Sequence, residues 1–285
     1  MGRDHADHDR SHPDFQGGRL AEGDCLVHLF LHTILFRWYV FLFWIVGLFF
    51  LARACGWRGA VLRFLSAYLI AYGCEYASSR TTGWFPFGHY VYLPTTLHRE
   101  IWIGPLPLMD SMSFSFLMVA SLGMVGWFEG RTLPELLGKP SRERLFRWAL
   151  ATVFFVMIDV VIDPVSLRGN RWFLGQIYYY PEGGAYFGVP VSNFIGWWVV
   201  GALILLAWNL PFSFGSRCGP DSSLSRPSVS MADRLGPPAL YLCVFLFNAS
   251  VAFFIHEWFL GFSDLMVGGF LYILGRRLLP RRKFF

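Results

Sequence analysis

Apolar residues in this chain gather into runs close to the length that crosses a bilayer, with polar and charged residues held between them. A hydrocarbon core about 30 Å thick needs roughly 20 apolar residues in a helix that rises 1.5 Å per residue. Seven runs approach that length, at about 33–52, 60–77, 106–127, 147–165, 191–211, 239–257 and 263–279. The last is short, and Asp264 suits its N-cap. The pattern predicts an all-α, polytopic integral-membrane helical bundle of about seven transmembrane helices. It forms one domain over 25–279, after a disordered polar tail at 1–24 and before a basic tail at 280–285. Residues 212–236, rich in Ser, Pro and Arg, read as a flexible loop, and 128–146 as a short interfacial helix with a basic end. Loops 78–105 and 166–190 are different, being long and crowded with Tyr, Trp and Phe. Loops of this kind pack at the interface or fold back over a cavity, because irregular backbone at membrane depth needs protein or water around it.

Composition narrows the class. The chain is 55% hydrophobic and only 15% charged, against about 25% charged in soluble domains. The polar N-terminus has no apolar core of a cleavable signal peptide. Most of the 24 Lys and Arg fall on one set of alternating loops. The positive-inside rule then places the N-terminus outside and the C-terminus in the cytoplasm, the expected membrane being a bacterial inner membrane. The net charge of +5 reflects this asymmetry and does not point to nucleic acid. Five scattered cysteines without a CxxC suggest neither a disulfide framework nor a metal knuckle. His5, His8 and His12 read as part of the tail. The chain lacks HExxH, Walker, GxSxG, dinucleotide and DDxxD motifs, and its histidines do not cluster as di-iron enzymes require. No metal and no cofactor are expected.

What remains is a set of carboxylates in segments that otherwise want lipid. Glu75 lies near the end of the second run, Asp110 near the start of the third, and Asp159 and Asp163 near the end of the fourth. Asn193 opens the fifth and His256–Glu257 close the sixth. In an up-and-down bundle all of these fall at the same end, together with both aromatic loops. Asp159 and Asp163 share a helix face at i and i+4. An ionised Asp at mid-depth costs roughly 2.5–3.5 kcal/mol, so Asp159 should be protonated, paired or facing a cavity. Bland alternatives stand beside each. The aspartates could pair with Arg168, Arg171 or backbone, Glu75 could snorkel, and Asp110 could cap its helix. His256–Glu257 could be an ordinary helix end.

Four segments carry a resemblance. They are Glu75 with SSRTTGWFPFGHYVY (78–92), IWIGPLPLMDS (101–111), DVVIDPV (159–165) and YFGVPVSNFIGWW (186–198). Together, within roughly 60–275, they resemble the carotenoid biosynthesis membrane-protein family that includes the CruF-type end-group hydratases and the bisanhydrobacterioruberin hydratases. The third run departs from the family in beginning PLMDSMSFSF, which marks Asp110 as a subfamily feature. The resemblance implies addition of water across the terminal double bond of an acyclic carotenoid, without a redox cofactor. In that scheme Asp159 is the general acid, Asp163 its partner or the base that orients water, and Glu75 a competing acid. Asn193 orients the water, and Asp110, Tyr90, Tyr92, Trp172, Tyr178, Tyr186 and Trp197 contact the substrate or its cation. The expected partners are the hydrophobic carotenoid or isoprenoid substrate, membrane lipid and other carotenoid-pathway enzymes. Competing readings are a lycopene-cyclase-like enzyme, a carboxylate-relay transporter, and a non-catalytic carotenoid-binding protein or scaffold.

Overall fold

The computed structural model describes residues 18–80, 86–138, 141–209 and 230–279. Its helices are α1 (Gly18–Phe36), α2 (Trp38–Arg80), α3 (Leu108–Glu129), α4 (Leu133–Leu136), α5 (Arg142–Ser166), α6 (Val191–Asn209), α7 (Met231–Phe254) and α8 (Trp258–Leu278). Six of them are long and apolar enough to cross a membrane. This is the expected all-α bundle.

The longest, α2, is two spans in one. Gly56 sits at φ 77°, ψ 157°, a conformation open to glycine and costly for residues with a Cβ. In a straight helix Trp44 and Phe64 would stand about 30 Å apart at 1.5 Å per residue. Their rings instead meet edge to face at 5.4 Å, so the chain doubles back at Gly56. The two arms correspond to most of the first two runs, so the six long helices account for the seven runs among the described residues. Cys55, beside the turn, is disulfide-bonded, which the scattered cysteines did not suggest.

Several boundaries differ from the reading of the sequence. The first run was drawn across Arg37, where the backbone breaks between α1 and α2. The interruption is one residue long, since Arg37 N–H still donates to the Thr33 carbonyl at 2.9 Å and Phe41 N–H to the Arg37 carbonyl at 3.3 Å. Helix α1 starts at Gly18, inside the stretch read as a tail, while residues 1–17, including His5, His8 and His12, lie outside the described residues. Most of loop 212–236 lies outside them too, but its end is already α7, held by a capping box between Ser230 and Asp233. Asp264 is no N-cap. Helix α8 begins directly after Glu257, so Asp264 is buried inside it, and its carboxylate oxygens have no hydrogen-bond partner among the described residues.

The core is organised around α3, the most enclosed of the long helices, most of whose residues are buried. Small residues explain how it packs so closely against α2, α5 and α7, since membrane helices associate through side chains that let backbones approach. At Gly123 an added Cβ would stand 2.5 Å from Pro237 Cβ and 2.6 Å from the Pro237 carbonyl carbon in α7. Gly123→Ala is therefore expected to cost about 1–3 kcal/mol through overpacking. Thermal unfolding in detergent would read this. Gly73→Ala, whose Cβ would meet nothing within 4 Å, is the control and should not lower stability.

Over one end of the bundle the two aromatic loops are stapled together. Strand β1 (Val91–Tyr92) pairs antiparallel with β4 (Tyr178–Tyr179), while β2 (Trp102–Ile103) and β3 (Leu106–Pro107) form a second small hairpin. Val91 faces Tyr179 and Tyr92 faces Tyr178 across the first ladder. Side chains alternate along a strand, which turns Tyr90, Tyr92, Tyr178 and Tyr180 inward together and leaves Tyr179 39% exposed.

Candidate functional site

The inward tyrosines meet the carboxylates. Asp163 accepts hydrogen bonds from the Tyr178 hydroxyl, from Tyr180 at 2.7 Å and from Asn193 Nδ2 at 2.9 Å. Asn193 Nδ2 also donates to Asp159 Oδ2 at 2.7 Å. One amide near the start of α6 therefore bridges two aspartates one turn apart on α5. Asp159 is fully buried, and its Oδ1 has no hydrogen-bond partner among the described residues. Tyr92 donates to Asp110, and Ser111 to Glu75. Burial, and next the charge of Asp163, push the phenols of Tyr178 and Tyr180 well above their usual pKa. Both remain protonated donors at any working pH.

Two cavities lie on either side of this cluster. The larger, about 120 Å³, is bordered by Asp110, Asp159 and Asp163 but walled mainly by apolar and aromatic groups, among them Phe116, Trp172 and Trp197. The smaller, about 40 Å³, is the more polar of the two and takes in Glu75, Tyr90, Tyr92, Tyr180 and Asn193 beside Phe87 and Phe114. Asp110, Asp163, Tyr178 and Trp197 border both. Neither lining contains a Lys or Arg, so the hydrogen bonds these carboxylates accept come from neutral donors. Trp197 is held by stacking on Phe114 at 4.3 Å.

The structure thus gathers Glu75, Asp110, Asp159, Asp163, Asn193, Tyr90, Tyr92, Trp172, Tyr178 and Trp197. It leaves out Tyr186, which bonds Ser263 at 2.9 Å and packs on Phe187 and Phe194, bordering neither cavity. Asp110 does not cap its helix, because its side chain turns to Tyr92. His256–Glu257 lies at the same end but outside the cluster. His256 is exposed, and Glu257 pairs with Arg168 at 3.1 Å and with Arg171. Those arginines are therefore not the partners of Asp159 and Asp163.

A pH effect follows for this outer pair. Burial tends to raise the Glu257 pKa, but the hydrogen bonds and charges of Arg168 and Arg171 outweigh it and hold the carboxyl below its ordinary value. A depressed folded-state pKa contributes stability that is full above the unfolded value, about 4.3, and fades as pH falls through the lower folded value. Melting curves from neutral to acid pH should show that loss in the wild type, and Glu257→Gln should lack this part of it.

A family model described as "Carotenoid biosynthesis protein" matches residues 31–270. The chain belongs to the carotenoid biosynthesis protein family. It is 27% identical over 159 residues to the bisanhydrobacterioruberin hydratase of Haloarcula japonica, a match covering 54% of this chain and 46% of that protein. The chain thus spans about half the length of this curated relative. No solved structure matches.

Within this carotenoid biosynthesis protein, every site residue named from the sequence falls inside the matched stretch. Three contributors were missed. Tyr180 could have been found, since it stands two residues from Tyr178 and a strand would turn both the same way. Ser111 follows Asp110 directly and resembles any small helix residue. The Arg37–Glu100 pair that anchors the roof had no local signal.

That pair is fully buried on both sides. Arg37 Nε and Nη2 donate to the two Glu100 oxygens at 2.8 and 2.7 Å, and Nη1 donates to the Leu174 carbonyl at 3.0 Å. It ties the start of α2 to both aromatic loops, beside the larger cavity that Leu174 helps to line.

Proposed function

We propose that this family member hydrates the terminal double bond of an acyclic carotenoid end group. One observation carries the reading. Asp159 is a buried carboxyl with one oxygen held by Asn193 and the other unpartnered, at the edge of an apolar, aromatic cavity. A proton on that free oxygen is positioned for an alkene carbon lying in the cavity.

The chemistry balances without an oxidant or metal. The alkene π electrons take the proton from Asp159, forming a C–H bond and a tertiary cation on the neighbouring carbon. Water adds its lone pair to that carbon, and the proton it sheds returns to the carboxylate pair, leaving a tertiary alcohol. Asp163 is engaged by three donors, whereas Asp159 has one donor and an oxygen left over, which suits the acid. Faces of Trp172, Tyr178 and Trp197 can stabilise the cation. The smaller cavity at Glu75 and Asn193 is wide enough for water, which needs roughly 10–15 Å³ and a few polar partners.

The test is expression in a host that makes acyclic carotenoids, with pigments separated and weighed. Hydration adds the mass of one water per end group, whereas ring closure from the same cation adds none. Tyr180→Phe keeps the ring but removes a donor to Asp163. The loss of a hydrogen bond to a charged group is worth about 1.5–3 kcal/mol, so turnover should fall about tenfold or more if that energy is expressed in the transition state.

A further inference from the structure

The cavity beside Asp159 holds about 120 Å³, well under the roughly 300–1,000 Å³ of sites that enclose a drug-sized ligand. An acyclic carotenoid is an extended chain far longer than this space. Only its end group fits, so the rest of the polyene must leave through one wall. Exposure of the lining side chains shows which wall is thin. Toward α3, α5 and α6 it is closed by buried groups such as Met109, Leu117 and Trp197. Toward the first arm of α2 and α7 buried Val40, Val244 and Asn248 are interleaved with three half-buried rings, Tyr39, Phe43 and Phe247. Tyr39 and Phe247 stack face to face at 6.0 Å and 27°, and both also pack on Phe173. On the same two helices, Leu42 is 48% and Leu246 is 55% exposed, as lipid-facing residues are.

We infer that the polyene enters sideways from the bilayer between the first arm of α2 and α7, parting the Tyr39–Phe247 pair. Its end group reaches Asp159, and its remaining length lies against the Leu42 and Leu246 side of the bundle. This rests on the reading above that the substrate is an acyclic polyene. It adds a binding surface outside the carboxylate cluster. It also makes Phe247 a residue that controls access and not chemistry.

A benzophenone amino acid placed at position 247, 42, 206 or 259 tests the path. Leu206 and Phe259 are exposed on α6 and α8 and serve as lipid-facing controls. Purified variants in lipid vesicles containing lycopene, an acyclic polyene, would be illuminated and the attached pigment measured. Attachment at 247 and 42 several-fold above 206 and 259 is expected. Equal attachment at all four, or more at 206 or 259, would overturn the inference. Because attachment reads binding without turnover, this pattern would stand even if no water were added, while hydration without it would remove the entrance alone. In steady-state assays Phe247→Trp, which narrows the gap, should raise KM several-fold and leave kcat unchanged. A lower kcat at unchanged KM would contradict a role in access.

Discussion

Asp159→Asn is expected to lower product formation by about 10²–10⁴-fold, the usual contribution of a general acid, with normal membrane insertion. The substitution is nearly isosteric and keeps an oxygen to accept from Asn193 Nδ2, so the α5–α6 contact should survive. What it removes is the carboxyl group that the proposal makes the proton donor, on a residue that borders the larger cavity. The same change at Glu75 should matter less if Asp159 is the acid. Glu75 borders only the smaller cavity and is engaged by Ser111. Pigment yield normalised to the amount of inserted protein distinguishes the two. Full activity in Asp159→Asn together with loss in Glu75→Gln would transfer the acid role to Glu75.

The largest stability effect should come from Arg37. Arg37→Met leaves Glu100 fully buried and without its cation, and breaking one side of a buried pair costs about 3–5 kcal/mol. Because Arg37 also holds the Leu174 carbonyl, the loop carrying Tyr178 and Tyr180 should loosen with it. Replacing both partners, Arg37→Met with Glu100→Leu, removes the stranded charge. The double variant should be more stable than Arg37→Met alone. Thermal unfolding of the four proteins in one detergent gives the coupling directly. Additive losses would mean that the pair contributes nothing as a unit.

Much of the bundle was legible because run length is a strong signal in a chain that must satisfy its backbone inside lipid. The seven runs fall on six long apolar helices among the described residues, two of the runs being joined through the turn at Gly56. The carboxylates were legible because charges inside apolar runs are costly and therefore informative. Their grouping followed from counting spans, which put Glu75, Asp110, Asp159, Asp163 and Asn193 at one end. Long-range pairing was harder to read. Arg37 finds Glu100 sixty-three positions away, and no local pattern announces it. Asp264 was misplaced because a polar residue after an apolar dip looks like a cap, whereas the helix had already begun at Trp258. Tyr186 was grouped with the site because the loop is aromatic throughout. The β1–β4 register turns Tyr178 inward and Tyr179 outward, while Tyr186, beyond that ladder, bonds Ser263 instead.

The central claim is that water captures a cation generated by Asp159. The most direct measurement uses the purified protein in lipid, an acyclic carotenoid, and water enriched in heavy oxygen, with the product analysed by mass. The account predicts one heavy oxygen atom per hydrated end group and no product with Asp159→Asn. A product of unchanged mass, or an alcohol without the label, would contradict it.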